Sequence, residues 1–86
     1  MKTISFTKAA WEDYVFWTNA DKKKIKKLNS LIEEITRTPF EGSGQPEQLK
    51  HHLSGFWSRR IDHENRLIYK VREENIEIIS CKGHYK

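Results

Sequence analysis

Cysteine, proline and glycine are scarce in this 86-residue chain: it has one cysteine, two prolines and four glycines. Cys81 alone cannot close an internal disulfide, so the fold stands without covalent cross-links and suits a reducing compartment. There is no internal repeat and no low-complexity tract, which excludes solenoid and linker architectures. No apolar run approaches the roughly 20 residues a membrane-spanning helix requires. The first eight residues, Met1 to Lys8, hold no apolar stretch of the secretory kind. Together these absences predict a soluble protein of the cytoplasm. Metal-ligand spacing is missing as well. The histidines are His51, His52, His63 and His84, and they form no H-x-x-x-H, nor is there a C-x-x-C. Gly42-Ser43-Gly44 lacks the Lys-Ser/Thr ending of a P-loop and reads as a turn. The sequence therefore predicts neither a metal nor a cofactor.

What the chain does have is aromatic mass and positive charge. A chain of this length makes one domain, residues 1–86, and buries only about 60% of its unfolded surface, so it depends on large side chains. Three Trp, three Tyr and four Phe supply them. Sixteen Lys and Arg against twelve Asp and Glu give a net charge of +4 and a pI near 9.3. On a small domain that excess favours a polyanionic partner through charge and counterion release.

Ile4 and Phe6 alternate with Thr3, Ser5 and Thr7, the pattern of a short strand. Thr7 suits the cap of a helix with an apolar side of Ala10, Trp11, Tyr14 and Val15, with Thr18 beside them. Asp21 suits the cap of a second helix, in which Ile25, Leu28, Ile32 and Ile35 recur at intervals of three and four with Leu31 alongside. Pro39 ends it, because Thr38 before a proline is pushed out of the helical region. The stretch from Phe40 to Glu47 reads as a loop, followed by a short turn around Leu49 and Leu53. Three strands follow, Phe56 to Ile61, Arg66 to Val71 and Ile76 to Cys81, separated by the polar segments Asp62 to Asn65 and Arg72 to Asn75. The order β-α-α-β-β-β predicts an α+β fold: an antiparallel sheet with both helices packed on one face and the other face open.

Basic residues stand beside aromatics in Phe56-Trp57-Ser58-Arg59-Arg60-Ile61 and in Arg66-Leu67-Ile68-Tyr69-Lys70. Alternation sends Arg59 and Arg60 to opposite faces, so only one of them can line a given groove. Arg66 opens its strand at a turn, where a guanidinium can reach a phosphate. Cys81 reads as a packed apolar residue. Glu47 and His84 are the residues with an acid–base interpretation, although a loop carboxylate and a terminal imidazole each have an ordinary solvated reading.

The segment Thr38 to His51, continuing into Leu53-Ser54-Gly55-Phe56-Trp57-Ser58-Arg59-Arg60-Ile61, resembles the central signature of the YoeB toxins of the RelE superfamily. Arg66-Leu67-Ile68-Tyr69 and His84-Tyr85 follow at the family's spacing, and Trp11, Asp13, Tyr14 and Trp17 match its first helix. The likeness runs through nearly the whole chain. It implies the toxin of a type II toxin–antitoxin system: an endoribonuclease that cuts messenger RNA in the ribosomal A site, without a metal, and so inhibits translation. It further implies a YefM-like antitoxin whose C-terminal segment covers the basic surface, and a homodimer. By position, Glu47 resembles the general base, Arg66 the phosphate-stabilising arginine and His84 the general acid. Tyr85, Lys50 and Arg60 match positions that contact the RNA. RNA carries its own nucleophile in the 2′-hydroxyl, so a base, an acid and a cation suffice for such a reaction. Gln48 stands where relatives often have Pro, Gly83 gives the tail no side-chain anchor, and Lys86 extends the chain by one residue. The competing reading is a noncatalytic RNA- or antitoxin-binding module. Loss of Glu47, Arg66 or His84 would have favoured it, and all three are present.

Overall fold

Thr7 both ends the first strand and starts the first helix. In the computed structural model, which describes residues 2–83, its hydroxyl accepts from the Ala10 amide at 3.0 Å and donates to the Ile79 carbonyl at 2.8 Å. The elements are β1 (Thr3–Phe6), α1 (Lys8–Ala20), α2 (Lys22–Ile35), β2 (Glu47–Gln48), a 3-10 turn (His51–Leu53), β3 (Phe56–Arg60), β4 (Arg66–Val71) and β5 (Asn75–Ser80). Asp21 alone separates the helices, and its carboxylate caps α2 by accepting from Lys23 and Lys24 amides at 3.0 and 3.1 Å. The Tyr14 hydroxyl donates to Asn29 Oδ1 at 2.7 Å, tying two positions nearly symmetric about Asp21, as in a helical hairpin.

The five strands lie in the order β1-β5-β4-β3-β2. The meander β3-β4-β5 is antiparallel as its turns predict, and β2 adds to it antiparallel through Glu47 opposite Ser58 and Gln48 opposite Trp57. β1, however, runs parallel to β5, so the sheet is mixed. The reason is the two-residue β2, which no periodicity announces. If each element reverses the one before, six reversals carry the chain from β1 to β5, and an even number leaves the two strands pointing the same way. Without β2 the number would be odd and the expected antiparallel pairing would follow.

The helices cover the sheet face that carries Leu67 and Tyr69 of β4 and Ile76 and Ile78 of β5. From α2, Leu28, Leu31, Ile32 and Ile35 enter this core, as their spacing predicts. In α1 the stripe is turned by one position relative to expectation. Ala10 and Trp17 are buried and Tyr14 partly so, whereas Trp11 and Val15 are 52% and 38% exposed. Trp17 wins the interior because its Nε1 donates to the Cys81 carbonyl at 2.8 Å, a partner that an apolar pattern does not reveal. Trp11 instead stacks on Tyr14, with ring centroids 5.7 Å apart, and both meet Phe6 edge-on. With Ile4 and Ile32 they line an open apolar groove of about 380 Å³. No helix among the described residues is long and apolar enough to cross a membrane.

Candidate active site

Alternation along β3 and β4 sorts the basic residues between the two faces. Trp57 and Arg59 lie opposite Tyr69 and Leu67 and point toward the helices, and Arg59 is completely buried. Ser58 and Arg60 turn to the opposite face. There Glu47 stands across from Ser58, and Arg66 across from Arg60. Directly opposed residues lie roughly 5 Å apart, and positions two apart on one strand roughly 7 Å. A carboxylate and two guanidinium groups therefore share one small area. They line a groove of about 280 Å³ with Gln45, Pro46 and Ser58.

Two neighbouring grooves extend this one. Glu47 also borders a cavity of about 440 Å³ with Gln48 to Leu53, which holds Lys50, His51 and His52. Arg60 and Gln45 also border one of about 430 Å³ with Lys27 and His63. Lys50 thus lies on the far side of Glu47 from Arg66, not beside it. The result is a strip rich in cations and imidazoles, with the exposed Glu47 carboxylate at its middle and Asp62, paired with Lys24, at one end, suited to a phosphodiester chain. Sequence reading missed Ser58, Gln45, Lys27 and His63 as lining residues. Of these, Ser58 had a signal, since it shares strand parity with Arg60.

The backbone that presents Glu47 is tightly constrained. Gly44 has φ +82°, and a Cβ there would meet the Arg60 carbonyl at 3.0 Å and Arg59 Cβ at 3.1 Å, so the position needs glycine twice over. The Gly44 carbonyl accepts from the Arg60 amide at 2.6 Å. Gln45 follows with φ 53°, a left-handed conformation that costs a residue with a side chain roughly 1–2 kcal/mol.

Arg66 is oriented by the turn before it. Its Nη1 donates to the carbonyls of Asp62, His63 and Asn65 at 2.9, 3.2 and 3.3 Å. The turn itself is built on Asp62, whose carboxylate accepts from the amides of Glu64 and Asn65 at 2.7 Å each. It also pairs with Lys24 of α2 at 2.9 Å. Partial burial opposes the charged form of Asp62, but Lys24, Asn65 and the two amides outweigh it and hold the carboxyl well below the usual carboxylate range.

The same turn holds the end of the described chain. The Gly83 amide donates to Asn65 Oδ1 at 2.7 Å, and the Gly83 carbonyl accepts from the Arg66 amide at 3.0 Å. Two residues earlier, the Cys81 amide donates to Asp13 Oδ2 at 3.0 Å. Gly83 is therefore fixed beside Arg66, and the expected site residues His84 and Tyr85, with Lys86, lie outside the described residues. Gly83, which offers the tail no side-chain anchor, is held through its backbone. Asn65→Ala is expected to keep the sheet but remove bonds worth about 1 kcal/mol each, lowering unfolding free energy and speeding Gly83 amide exchange about tenfold. Urea titration and hydrogen exchange check this. Because the folded-state pKa of Asp62 is depressed, its contribution is complete above the unfolded value near 4 and declines as pH falls below it.

Cys81 is fully buried, and burial, with Asp13 nearby, pushes its thiol up to about 12. It packs as an apolar residue and offers no thiolate near neutrality. Among the described residues, no three His, Cys, Asp or Glu side chains gather as metal ligands.

Residues 6–85 match the family model for the YoeB-like toxin of bacterial type II toxin–antitoxin systems. Toxin YoeB of Escherichia coli K12 is 52% identical over 85 residues, covering 99% of this chain and 100% of the relative. A YoeB dimer from Staphylococcus aureus superposes with a TM-score of 0.91 at 48% identity, covering 98% of each chain. A heterotetrameric YoeB–YefM toxin–antitoxin complex from the same organism gives 0.90 at 48% identity, covering 99% of each.

Proposed function

Since the chain belongs to the YoeB-like toxins of bacterial type II toxin–antitoxin systems, we propose that it is a ribosome-dependent endoribonuclease that cuts messenger RNA in the A site. The supporting observation is the groove in which Glu47, Arg60 and Arg66 meet on the face the helices leave open. Glu47 takes the proton of a 2′-hydroxyl, and that oxygen attacks the adjacent phosphorus. Arg66 offsets the charge that grows on the phosphoryl oxygens, and His84 gives its proton to the departing 5′-oxygen. The products are a 2′,3′-cyclic phosphate and a 5′-hydroxyl. Arg60 and Lys50 hold the flanking phosphates, and Tyr85 positions the RNA. No metal takes part, because the nucleophile, base, acid and cation all come from RNA and side chains.

Residues 1–86 act as one unit in the cytoplasm. The basic strip suits the acidic segment of a YefM-like antitoxin, in keeping with the S. aureus complex. The open aromatic groove around Trp11 suits a homodimer, in keeping with the S. aureus dimer.

The test is cleavage of a messenger on purified ribosomes, with a chelator at a level that leaves the ribosomes assembled. Cutting should persist, and the upstream fragment should end in a cyclic or 3′-phosphate. A 3′-hydroxyl there would sink the 2′-hydroxyl mechanism. A folded protein that binds antitoxin and cuts nothing would favour the noncatalytic module.

A further inference from the structure

Arg59 is a completely buried cation that the proposed chemistry does not use. All three of its guanidinium nitrogens are engaged. Nε donates to the Tyr69 hydroxyl at 3.1 Å, and Nη1 donates to Glu34 Oε1 and the Ser43 carbonyl, both at 3.2 Å. Nη2 donates to the carbonyls of Thr38 and Glu41, the latter at 2.9 Å. The Tyr69 hydroxyl in turn donates to the Pro39 carbonyl at 2.7 Å, and the Glu34 carboxylate accepts from the Ser43 amide at 3.2 Å. Four carbonyls of one loop, at residues 38, 39, 41 and 43, are thus held by two side chains of the sheet.

We propose that Arg59, with Tyr69 and Glu34, is a positioning residue for Glu47: by gripping the 38–43 loop it sets the register in which β2 meets β3. The inference rests on reading Glu47 as the base. β2 has only two residues, Glu47 and Gln48, too few to choose a register by their own pairing. A slip of one residue would turn Glu47 from the open face to the helix face. The loop must therefore deliver β2 already aligned. A loop with carbonyls turned inward stays put only if buried donors meet them, and Arg59 and Tyr69 are those donors. A single strand thus does two jobs. Its inward Arg59 holds the loop, and its outward Ser58 and Arg60 frame the carboxylate which that loop delivers. Stability alone does not explain a buried guanidinium, since apolar residues of similar volume commonly stabilise as well or better.

Tyr69→Phe and Arg59→Lys in the full chain test this. Tyr69→Phe keeps the ring and removes only the hydroxyl that bridges Arg59 to Pro39. Arg59→Lys keeps the charge without the fork. If Arg59→Lys fails to fold, Tyr69→Phe carries the test. Hydrogen exchange should speed at least tenfold at the Arg60 amide, which bonds Gly44, and at the Leu49 amide, which bonds Phe56. Amides between β4 and β5 should keep their rates. On ribosomes kcat should fall at least tenfold with KM within twofold, and adding either change to Glu47→Ala should cost nothing more. Unchanged exchange at Arg60 and Leu49, or a kcat loss that persists in full without Glu47, overturns the proposal. Should Glu47→Ala itself cut like the parent, the base assignment fails instead, while the exchange data still report whether the loop is latched.

Discussion

Glu47→Ala and Arg66→Ala should each slow ribosome-dependent cleavage by about 10² to 10⁴, the range usual for a general base or for a cation aimed at developing charge. The two differ in what they should do to the fold. Glu47 is exposed on a two-residue edge strand, and its side chain makes no hydrogen bond among the described residues. Its loss should change unfolding free energy by no more than about 0.5 kcal/mol. Arg66 is half-buried, and its Nη1 caps three carbonyls of the 62–65 turn, so Arg66→Ala should also cost about 1–2 kcal/mol. Arg66→Lys separates the effects, since it keeps the charge near the groove and loses the planar fork. The measurements are single-turnover cleavage beside urea unfolding. Near-parental rates for a folded Glu47→Ala protein would place the base elsewhere.

The tail gives the second large effect. Ending the chain after Gly83 removes His84, Tyr85 and Lys86, and cleavage should fall by at least about 10². The fold should survive, because every contact seen to hold this end lies upstream. Asp13 and Trp17 grip Cys81, Asn65 grips the Gly83 amide and the Arg66 amide grips its carbonyl. Such a truncation also brings a new terminal carboxylate next to Arg66, so His84→Ala in the full-length chain is the necessary companion. Removing Lys86 alone should leave activity near parental, or slightly lower at raised salt if that residue touches phosphate. Robust cutting after loss of residues 84–86 would remove His84 from the mechanism.

Periodicity revealed most of the fold because the features that decide it are local. The i, i+3, i+4 spacing of Leu28, Leu31, Ile32 and Ile35, the caps Thr7 and Asp21, and the polar turns at 62–65 and 72–75 need no tertiary knowledge. Alternation alone separated Arg59 from Arg60. What escaped has long-range causes. Trp17 is interior because of a carbonyl 64 positions away. β2 exists because a loop is held from beneath by a side chain of another strand, and the parallel pairing of β1 follows from β2. The site divides in the same way. Glu47, Arg66 and Arg60 were identifiable as residues by family likeness, and their meeting in one groove became visible only with the register of β2, β3 and β4. Lys50, a candidate for phosphate contact by the same likeness, borders the adjoining groove with Glu47.

β5 has a place in the sheet at odds with its place in the chain. It lies between β1 and β4, yet it is made last. Until residues 75–80 emerge during synthesis, β1 has no partner and the core lacks Ile76 and Ile78. The bonds from Asp13, Trp17, Asn65 and Arg66 to the chain end have nothing to hold until later still. A nascent chain therefore cannot complete this sheet until residues 75–83 have emerged, however early β1 and the two helices are made.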